Sequence, residues 1–403
     1  LAARAKVKLR KCEKSISYKE MISFNGEFVS APYIKDQTAV IVHSGGTTGT
    51  PKGVCLTNDN ITYVAWAFLN NGNEISRKDF LFSCIPMFHA FGFVMGVIMP
   101  LNKGSCIILT TQYDEKHFVK LFIKKKPNHS MSSSTYMTAF VEDKKIRNMD
   151  FAHYHVCGLG GTPMTNAQES GLESFFASRN SAARPNIGYG MSELASAVCT
   201  ELNRYYGKVG SVGLPLPKAN IRVVDTETKE ELPYNRGGEL YISSPGLMAQ
   251  YHLNEAETNA VLYTDSNGVR WIKSGDLGHI DEDGFVFITG KLKRIYTARA
   301  QKDGPIMHIF PDYIANVVTK HPAVNECAIV CIPHPDLKSV PIAFVTVNEH
   351  DNSAEIPQKI LDYCMTELPQ HSIPKRCYVV PSIPKTPIGK IDYRALEKEA
   401  ESK

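Results

Sequence analysis

"VHSGGTTGTPKGVCLT", residues 42–57, holds four glycines and four threonines together with one proline and one lysine, directly after an apolar run. Glycine lets backbone N–H groups converge on an oxyanion, while hydroxyl groups and a lysine add donors and positive charge. The alternative is a hairpin turn rich in glycine and threonine, but such a turn needs only about two or three residues. The stretch therefore predicts a phosphate-binding loop that contains Ser44, Gly45, Gly46, Thr47, Thr48, Gly49 and Lys52.

The composition of the whole chain is typical of a soluble globular protein. Of its 403 residues, 43% are hydrophobic and 21% are charged, which excludes a disordered or fibrous chain. The net charge of +4 is too small to indicate nucleic acid or an anionic membrane as the main partner. The longest apolar run, residues 87–101, is interrupted by His89, glycine and proline, so no transmembrane segment is predicted.

The ten cysteines are scattered and form no C-x-x-C pair, so the sequence favours neither a zinc site nor thioredoxin-like chemistry. A reduced, cytoplasmic location is the simplest prediction. Cys327 and Cys331 lie on one face of a predicted strand, where buried core thiols are favoured over a metal or redox role. The chain starts at Leu1 without an initiator methionine, so we expect it to be part of a longer protein.

Short apolar segments alternate with longer amphipathic segments through the first 290 residues or so. Strands are predicted at Ala39–His43, Phe80–Ile85, Ser105–Leu109 and His155–Leu159. Helices are predicted at Asn58–Leu69, Gly92–Pro100, Asp114–Lys125 and Asn166–Ser178. This alternation is typical of an α/β fold with parallel sheets whose strands are connected by helices.

Beyond Lys208 the segments "NIRVVD", "GGELYIS" and "DGFVFITG" predict short strands in a more antiparallel, barrel-like portion. The segment "GKLKR", residues 290–294, is cationic and has no apolar face, which favours a domain boundary. We predict a large N-terminal domain of residues 1–290, a hinge of residues 291–294 and a small α+β domain of residues 295–403. The elements predicted in the small domain are helices at Tyr313–Thr319 and Ile356–Glu367 and strands at Val324–Ile332 and Ile342–Val347.

The glycine-rich stretch resembles the signature loop of the adenylate-forming superfamily, which includes acyl-CoA synthetases, luciferases and the adenylation domains of peptide synthetases. Further segments resemble motifs of this family in the family's order: "IPMFHAFG" (85–92), "GLGGTPM" (158–164), "NIGYGMSE" (186–193), "GELYISSPGLMAQYH" (238–252), "SGDLGHIDEDGF" (274–285) and "PKTPIGKIDYRAL" (384–396). The resemblance implies ATP-dependent activation of a carboxylic acid. An acyl-adenylate and pyrophosphate form first, and the acyl group then passes to a thiol, which we expect to be that of coenzyme A.

The resemblance implies that two of these segments, residues 158–164 and residues 186–193, bind the nucleotide base. In the first, the residues that match the adenine-lining motif are Gly160, Gly161 and Thr162. In the second, a tyrosine between glycines can lay its ring against a purine, and the matching residues are Gly188, Tyr189, Gly190 and Ser192. Taken alone, the first segment is a strand and a loop, and the second is a turn before a helix capped by Ser192.

Three charged side chains complete the nucleotide site that the resemblance implies. Glu193 can hold a hydrated Mg²⁺ beside the phosphates. Asp276 can accept hydrogen bonds from both ribose hydroxyls, although an aspartate in a turn is more often structural. Lys291 stands where the family has an arginine. The planar guanidinium group of that arginine binds ribose and phosphate in a bidentate way, so we expect slower adenylation than in relatives with arginine.

His89 and Lys390 are the remaining predicted catalytic residues. His89 matches a position at the mouth of the acyl pocket, and the sequence "HAFG" favours a fatty or aryl acid over an amino acid as substrate. Without this motif, a histidine in an apolar run is interpreted as a core residue. Lys390 matches the lysine that bridges the carboxylate and the α-phosphate, where its ammonium offsets the charge of two anions; without its motif it is a solvated lysine.

The chain departs from the family pattern in two further places. The segment after the hinge, residues 295–315, is longer than usual and carries a single glycine, Gly304, which leaves the thioester-forming step uncertain. Only 43 residues precede Ser44, so we expect the usual leading part of the large domain to be missing. Two alternatives stay open: a ligase that loads the phosphopantetheine of a carrier protein, and a non-catalytic nucleotide-binding homologue. The identity and chain length of the acid and the oligomeric state are not indicated.

Overall fold

The structure is a computed structural model that describes residues 20, 23, 25, 26, 31–44, 52–73, 75–110, 115–161, 164–201, 207–348, 354–386 and 390–403. The chain divides into one unit of residues 1–35 and a second unit of residues 36–403. The elements described in the following paragraphs all belong to the second unit. The predicted boundary at residues 291–294 is not tested by this division and stays a prediction.

The strands of the described chain are numbered in chain order. They are β1 (Thr38–Ser44), β2 (Lys52–Thr57), β3 (Phe80–Ser83), β4 (Cys106–Leu109), β5 (His129–Ser132), β6 (Val156–Leu159), β7 (Pro185–Tyr189), β8 (Cys199–Thr200), β9 (Leu214–Pro215), β10 (Asn220–Val224), β11 (Gly238–Ser243), β12 (Gln250–Tyr251), β13 (Leu262–Thr264), β14 (Arg270–Ile280), β15 (Val286–Lys291), β16 (Tyr296–Ala298), β17 (Met307–Ile309), β18 (Val324–His334), β19 (Lys338–Val347) and β20 (Arg376–Val379).

The helices alternate with the strands of the first half and cover the sheet of the last third. The α-helices are Asn58–Leu69, Ala90–Phe93, Met99–Lys103, Glu115–Lys125, Ser134–Glu142, Asn166–Ala177, Glu255–Val261, Pro311–Val318, Ile356–Glu367 and Tyr393–Ser402. A π-helical segment spans Val94–Ile98, and short 3₁₀ helices span Ser192–Leu194, Leu292–Arg294 and Gln370–Ser372. Within the described ranges, every helix is too short or too polar to cross a lipid bilayer.

A seven-stranded sheet organises the first half of the chain, with the strand order β4-β3-β5-β6-β7-β8-β9. Neighbouring strands from β4 to β7 are parallel, and helices connect them, which confirms the predicted α/β architecture. β8 and β9 continue the sheet in antiparallel pairing. Because parallel strands end at the same edge, the residues that follow β5, β6 and β7 lie close together there.

An aromatic core lies between this sheet and two of its helices. The rings of Phe118 and Phe122, one helical turn apart in Glu115–Lys125, contact Phe140 of the next helix at centroid distances of 5.7 and 4.6 Å. All three rings are buried. Truncating one such ring to alanine typically costs about 3–5 kcal/mol of stability, so this core contributes strongly to the stability of the sheet and its helices.

The region beyond Lys208 is antiparallel, as predicted. β10, β11, β14 and β13 pair in that order, and β15 pairs with β14. The pairings among the described strands leave this sheet open, so the barrel-like shape expected from the sequence is an open five-stranded sheet here. A barrel requires the first and last strands to pair, whereas β13 and β15 both pair with β14.

The last part of the chain forms a three-stranded sheet of β18, β19 and β20, with the helices Pro311–Val318, Ile356–Glu367 and Tyr393–Ser402 packed on it. Cys327 and Cys331 both face one buried core, as their spacing predicts, and burial raises the pKa of the Cys331 thiol to about 12. Within the described ranges, no cluster of histidine, cysteine and acidic residues is arranged to hold a metal ion. The long segment after residue 294 contains an antiparallel hairpin of β16 and β17.

Candidate active site

A cleft of about 2580 Å³ receives side chains from the carboxyl ends of β5, β6 and β7, from β14 and β15, and from the last twenty or so residues of the chain. The predicted site residues that the structure describes all line it: Ser44, Lys52, His89, Gly160, Gly161, Gly188, Tyr189, Gly190, Ser192, Glu193, Asp276, Lys291 and Lys390. Others lie outside the described residues: Gly45, Gly46, Thr47, Thr48, Gly49 and Thr162. The position of each described residue is therefore known, whereas its role stays a prediction.

The two flanks of the glycine-rich stretch are paired strands. β1 and β2 are antiparallel, and Ser44 lies opposite Lys52 at the end of the pair where residues 45–51 connect the two strands. The Lys52 ammonium forms an ion pair with Glu257 and lies 4.8 Å from the centre of the Tyr251 ring. The only lysine of the stretch is thus held at the cleft by two residues that are about two hundred positions later in the chain.

Asp276 has partners on both carboxylate oxygens. The Tyr189 hydroxyl donates a hydrogen bond to Oδ2 over 2.6 Å, and Lys291 forms an ion pair with Oδ1. Asp276 is 1% exposed, while the Lys291 side chain is 53% exposed. Burial first, and then the charge of Asp276, raise the pKa of Tyr189, so its hydroxyl keeps its proton. Ribose hydroxyls that bind Asp276 would therefore have to share or replace these two donors.

Glu193 lies in the 3₁₀ helix that follows β7. Its carboxylate oxygen Oε1 accepts a hydrogen bond from the Tyr251 hydroxyl over 2.7 Å, and its carbonyl oxygen accepts one from the backbone N–H of Met248 over 2.8 Å. Ser192 is the first residue of this helix rather than its cap; Met191 is the cap and makes no side-chain hydrogen bond. The capping role considered from sequence is therefore wrong.

The chain turns sharply after Glu193. Ala195 and Ser196 have φ angles of 53° and 115°, in the left-handed region that side chains rarely adopt. The turn brings the Ser196 carbonyl oxygen so close to Gly190 that a Cβ on Gly190 would lie 1.7 Å from it. Glycine is therefore required at Gly190 by packing, because the neighbour that a side chain would meet is the backbone of this strained turn.

A metal ion fits this carboxylate. Mg²⁺ is usually held by one or two carboxylates together with substrate phosphates and water, rather than by a complete protein cage. Glu193 is 6% exposed and lines the same cleft as Lys52 and Ser44, the flanks of the predicted phosphate loop. The donor set of this site therefore suits a magnesium ion that arrives with a nucleotide.

Lys390 reaches the cleft from the end of the chain. Burial and the nearby charge of Lys291 lower the pKa of its ammonium, while Asp276 and Glu193 oppose this shift. Burial and the positive charge of Lys390 lower the pKa of His89 to about 4, so the imidazole is neutral at pH 7. Lys390 therefore shares one electrostatic environment with both predicted carboxylates and with His89.

His89 has a second role that the sequence did not suggest. Its Nδ1 accepts a hydrogen bond from the backbone N–H of Phe91 over 3.2 Å and so caps the helix Ala90–Phe93. The cleft around it is largely apolar. Among the lining residues on this side are Phe68, Phe91, Met95, Met131 and Leu159. A Cβ on Gly160 would meet the Phe91 ring at 3.4 Å, which is an ordinary van der Waals contact.

Arg294 of the predicted hinge is anchored to the last part of the chain. Its guanidinium forms an ion pair with Asp312, donates a hydrogen bond to the Ile329 carbonyl oxygen over 2.6 Å and lies 3.6 Å from the centre of the Tyr393 ring. The backbone N–H of Lys291 also donates to Asp312 over 3.2 Å. One carboxylate thus contacts both ends of the predicted hinge.

Sequence reasoning missed Tyr251, Glu257 and Asp312. Tyr251 lies within a segment that resembles a family motif, but its partner Glu193 is 58 positions away. No spacing rule connects residues on different elements, so only the tertiary structure reveals such contacts. The exposed position of Glu257 on a short helix gave no sequence signal either.

Both parts of the chain are similar to known proteins. The profile of the AMP-binding enzyme family matches residues 5–252, and that of the AMP-binding enzyme C-terminal domain matches residues 313–390. Probable 4-coumarate–CoA ligase 1 of Dictyostelium discoideum is 27% identical over 382 residues, which are 93% of this chain and 66% of that protein. Peroxisomal OPC-8:0-CoA ligase 1 of Arabidopsis thaliana is 27% identical over 385 residues, 94% of this chain and 67% of that protein.

The chain spans about two thirds of the length of these relatives. Solved structures share its fold. ATP-bound MatB from Rhodopseudomonas palustris superposes with a TM-score of 0.81 at 22% identity, over 93% of this chain and 70% of that one. O-succinylbenzoate coenzyme A synthetase from Bacillus subtilis, in complex with AMP, superposes with a TM-score of 0.76 at 23% identity, over 95% of this chain and 74% of that one.

Proposed function

Because the chain belongs to the AMP-binding enzyme family, we propose that it activates a carboxylic acid with ATP and then transfers the acyl group to coenzyme A. The observation that carries this proposal is the position of Lys390. Its ammonium lies in the cleft within electrostatic reach of Asp276 and Glu193, the residues proposed to bind ribose and metal. The named activities of its relatives, which are CoA ligases, support the same reaction class.

In the proposed first step, a carboxylate oxygen of the acid attacks the α-phosphorus of ATP, and the bond to the bridging oxygen breaks to release pyrophosphate. Both reactants are anions, so catalysis depends on positive charge and in-line placement. Lys390 would bridge the two reactants, and Lys52 would hold the leaving pyrophosphate. Mg²⁺ bound at Glu193 would neutralise phosphate charge.

Asp276 and Tyr189 would place the nucleoside. The Tyr189 hydroxyl is held by Asp276, so the orientation of the ring proposed to face the adenine is fixed before the nucleotide binds. The backbone beside that ring is also fixed, because Gly188 and Gly190 pack so closely against the carbonyl oxygens of Cys199 and Ser196 that an added Cβ would lie 3.2 and 1.7 Å from them. Preorganisation of this kind lowers the ordering cost of binding.

In the proposed second step, the coenzyme A thiol attacks the acyl carbon and AMP leaves. The two steps need different donors in one cleft, so we propose that the region after residue 294 turns about Lys293 and Arg294. This movement would withdraw Lys390 and bring in the hairpin of β16 and β17. The proposed division into residues 1–290, 291–294 and 295–403 follows from this movement.

We propose that the substrate is a fatty or aryl acid and that the protein acts in the cytoplasm. The apolar lining near Phe91 and the neutral imidazole of His89 suit an acid without an α-ammonium group. Free cysteines suit a reducing compartment, and those in the described ranges are unpaired with each other. A carrier protein is the alternative thiol donor.

The test is pyrophosphate release by the full-length protein with Mg²⁺ and ATP, across short, medium, long and aromatic acids, with and without coenzyme A. Release that depends on the acid and turns over only with coenzyme A supports the proposal. Acid-dependent release that coenzyme A does not stimulate favours a carrier-loading ligase. Nucleotide binding without release for any acid favours a non-catalytic homologue and contradicts the proposal.

A further inference from the structure

Tyr251 connects two parts of the cleft that are far apart in the chain. It is 5% exposed and lies in β12, whose backbone pairs with β2 so that Tyr251 faces Val54, two residues after Lys52. β2 is the strand that leaves the glycine-rich stretch. The backbone of Tyr251 is therefore fixed to one flank of the proposed phosphate loop.

The side chain of Tyr251 contacts a charged group at each end. Its hydroxyl donates to Glu193 Oε1 over 2.7 Å, and its ring lies 4.8 Å from the Lys52 ammonium. A hydrogen bond to a carboxylate is among the stronger neutral-to-charged contacts, and a cation over an aromatic face is attracted by the ring quadrupole.

Among the described residues, Oε1 of Glu193 accepts this hydrogen bond and Oε2 has no hydrogen-bond partner, so one carboxylate oxygen is left for another ligand. Tyr251 engages Oε1, so a metal ion would bind through Oε2 with the rotation of the carboxylate already fixed. Groups that orient a metal ligand in this way change metal affinity without touching the metal. The same ring restrains Lys52, which would contact the phosphates of a metal–nucleotide complex.

We propose that Tyr251 is a positioning residue that orients Glu193 for the metal and Lys52 for the phosphates, so that metal and nucleotide binding are coupled through one side chain. The inference rests on the proposed function, since it names a residue of that same site. It predicts that the hydroxyl matters for metal-dependent nucleotide binding and much less for binding of the nucleotide alone.

The test is a Mg²⁺ titration of a fluorescent ATP analogue bound to the full chain, without acid, so that no chemistry occurs. Tyr251→Phe keeps the ring over Lys52 and removes only the hydroxyl. We expect the Mg²⁺ concentration at half-saturation to rise about tenfold, within the range seen when partners of metal ligands are removed. Binding of the analogue without Mg²⁺ should change by less than about twofold.

Tyr263→Phe is the matched control, because Tyr263 also lines the cleft but makes no contact with Glu193 among the hydrogen bonds of the described residues. It should leave the Mg²⁺ titration unchanged. In a Glu193→Gln background, Tyr251→Phe should add no further increase, because the hydroxyl acts through Glu193. Glu193→Asp, which shortens the carboxylate and withdraws it from Tyr251, should raise the half-saturation concentration in the same direction.

A folded Tyr251→Phe protein with the Mg²⁺ titration of the wild type would overturn the inference, as would an unchanged titration for Glu193→Asp. A Tyr251→Phe protein that does not fold would assign the hydroxyl a structural role and would also overturn it. If the wild type itself shows no Mg²⁺-dependent nucleotide binding, the proposed function fails; if it does and Tyr251→Phe matches it, the inference alone fails.

Discussion

Lys291 and Asp276 face each other across β14 and β15, and their side chains form an ion pair at the cleft. The lysine side chain is half exposed and the aspartate is buried, so the pair joins an ammonium group that solvent reaches to a carboxylate that the fold encloses. A lysine offers one point charge, whereas an arginine offers several donors in a plane. The residue at position 291 therefore decides how many donors remain for a nucleotide once Asp276 is satisfied.

Lys291→Arg should increase the rate of adenylate formation, because the guanidinium can keep Asp276 and still contact the ribose or phosphate. A gain of about 0.5–1 kcal/mol in the transition state would correspond to a rate increase of about two- to fivefold. The measurement is acid-dependent pyrophosphate release at saturating ATP. Lys273→Arg, on the same strand as Asp276, is the control and should have no effect. An unchanged or lower rate for Lys291→Arg would contradict this argument.

Lys390→Ala should separate the two proposed steps. Removing the ammonium should lower adenylate formation by about 10²- to 10³-fold, the usual cost of losing one donor to a developing charge. A supplied acyl-adenylate should still react with coenzyme A to give thioester at close to the wild-type rate. Lys385→Ala, which removes a cleft-lining lysine that pairs with Glu326 over 3.1 Å, is the matched control. Parallel loss of both steps in Lys390→Ala would exclude the proposed movement.

Glu257→Gln should strengthen nucleotide binding. Glu257 neutralises Lys52, and both side chains are partly exposed, so solvent screens the pair and its contribution to stability is small. Its loss frees the ammonium and removes a negative charge near the proposed phosphate site. We expect the Kd for ATP with Mg²⁺ to fall about two- to fivefold, measured with the fluorescent analogue. Glu255→Gln, on the same helix, should leave the Kd unchanged, and an increase in Kd for Glu257→Gln would refute the effect.

His89 should make stability depend on pH in the acid range. Burial and Lys390 lower its pKa from 6.5 to about 4, so between these values the unfolded chain binds a proton that the folded chain does not. Above pH 6.5 the histidine is neutral in both states and does not reduce the free energy of unfolding. As the pH falls from 6.5 toward 4, protonation of the unfolded chain lowers the free energy of unfolding by up to about 3 kcal/mol. Urea unfolding at pH 7 and pH 4.5 measures this loss.

His89→Asn should reduce that loss, because asparagine keeps a helix cap and does not titrate. His308→Asn replaces an exposed histidine and is the control. An acid dependence that is the same for His89→Asn as for the wild type would show that other groups cause it.

Glu201 should act in the opposite direction. Burial, and then the charge of Glu169, raise the pKa of its carboxyl group from 4.5 to about 8. The unfolded chain releases this proton at a lower pH than the folded chain does. The carboxyl group therefore destabilises the fold progressively as the pH rises from 4.5 to 8. Glu201→Gln should therefore increase the free energy of unfolding at pH 8, by about 2–4 kcal/mol, and should have little effect at pH 4.5. Glu227→Gln is the exposed control, and an equal gain at both pH values would contradict the linkage.

Local signals in the sequence predicted several elements well. The helix Asn58–Leu69 has the predicted ends because Thr57 and Asn60 form a reciprocal cap at its start. The helix predicted at Gly92–Pro100 is instead a series of pieces over Ala90–Lys103. His89 caps the first piece, and Pro100 has no N–H to continue the α-helical hydrogen bonds, so a π-helical segment precedes it.

The candidate site was predictable only in part. The motif residues could be named because each motif is local, and the structure places those that it describes around one cleft. The contacts of Lys52 with Glu257 and of Glu193 with Tyr251 depend on the packing of distant elements, which no spacing in the sequence encodes. The hairpin of β16 and β17 was missed for a different reason: its strands are only three residues long, too short to show an alternating pattern.

The sharp turn after Glu193 also limits how this cleft can be redesigned. A side chain at Gly190 would occupy the space of the Ser196 carbonyl group, which is backbone and cannot rotate away. At Gly160 the nearest neighbour is the Phe91 ring, at a distance that an added methyl group can tolerate with a small shift. A directed-evolution library for this cleft should therefore keep Gly190 invariant, whereas Gly160 can accept alanine.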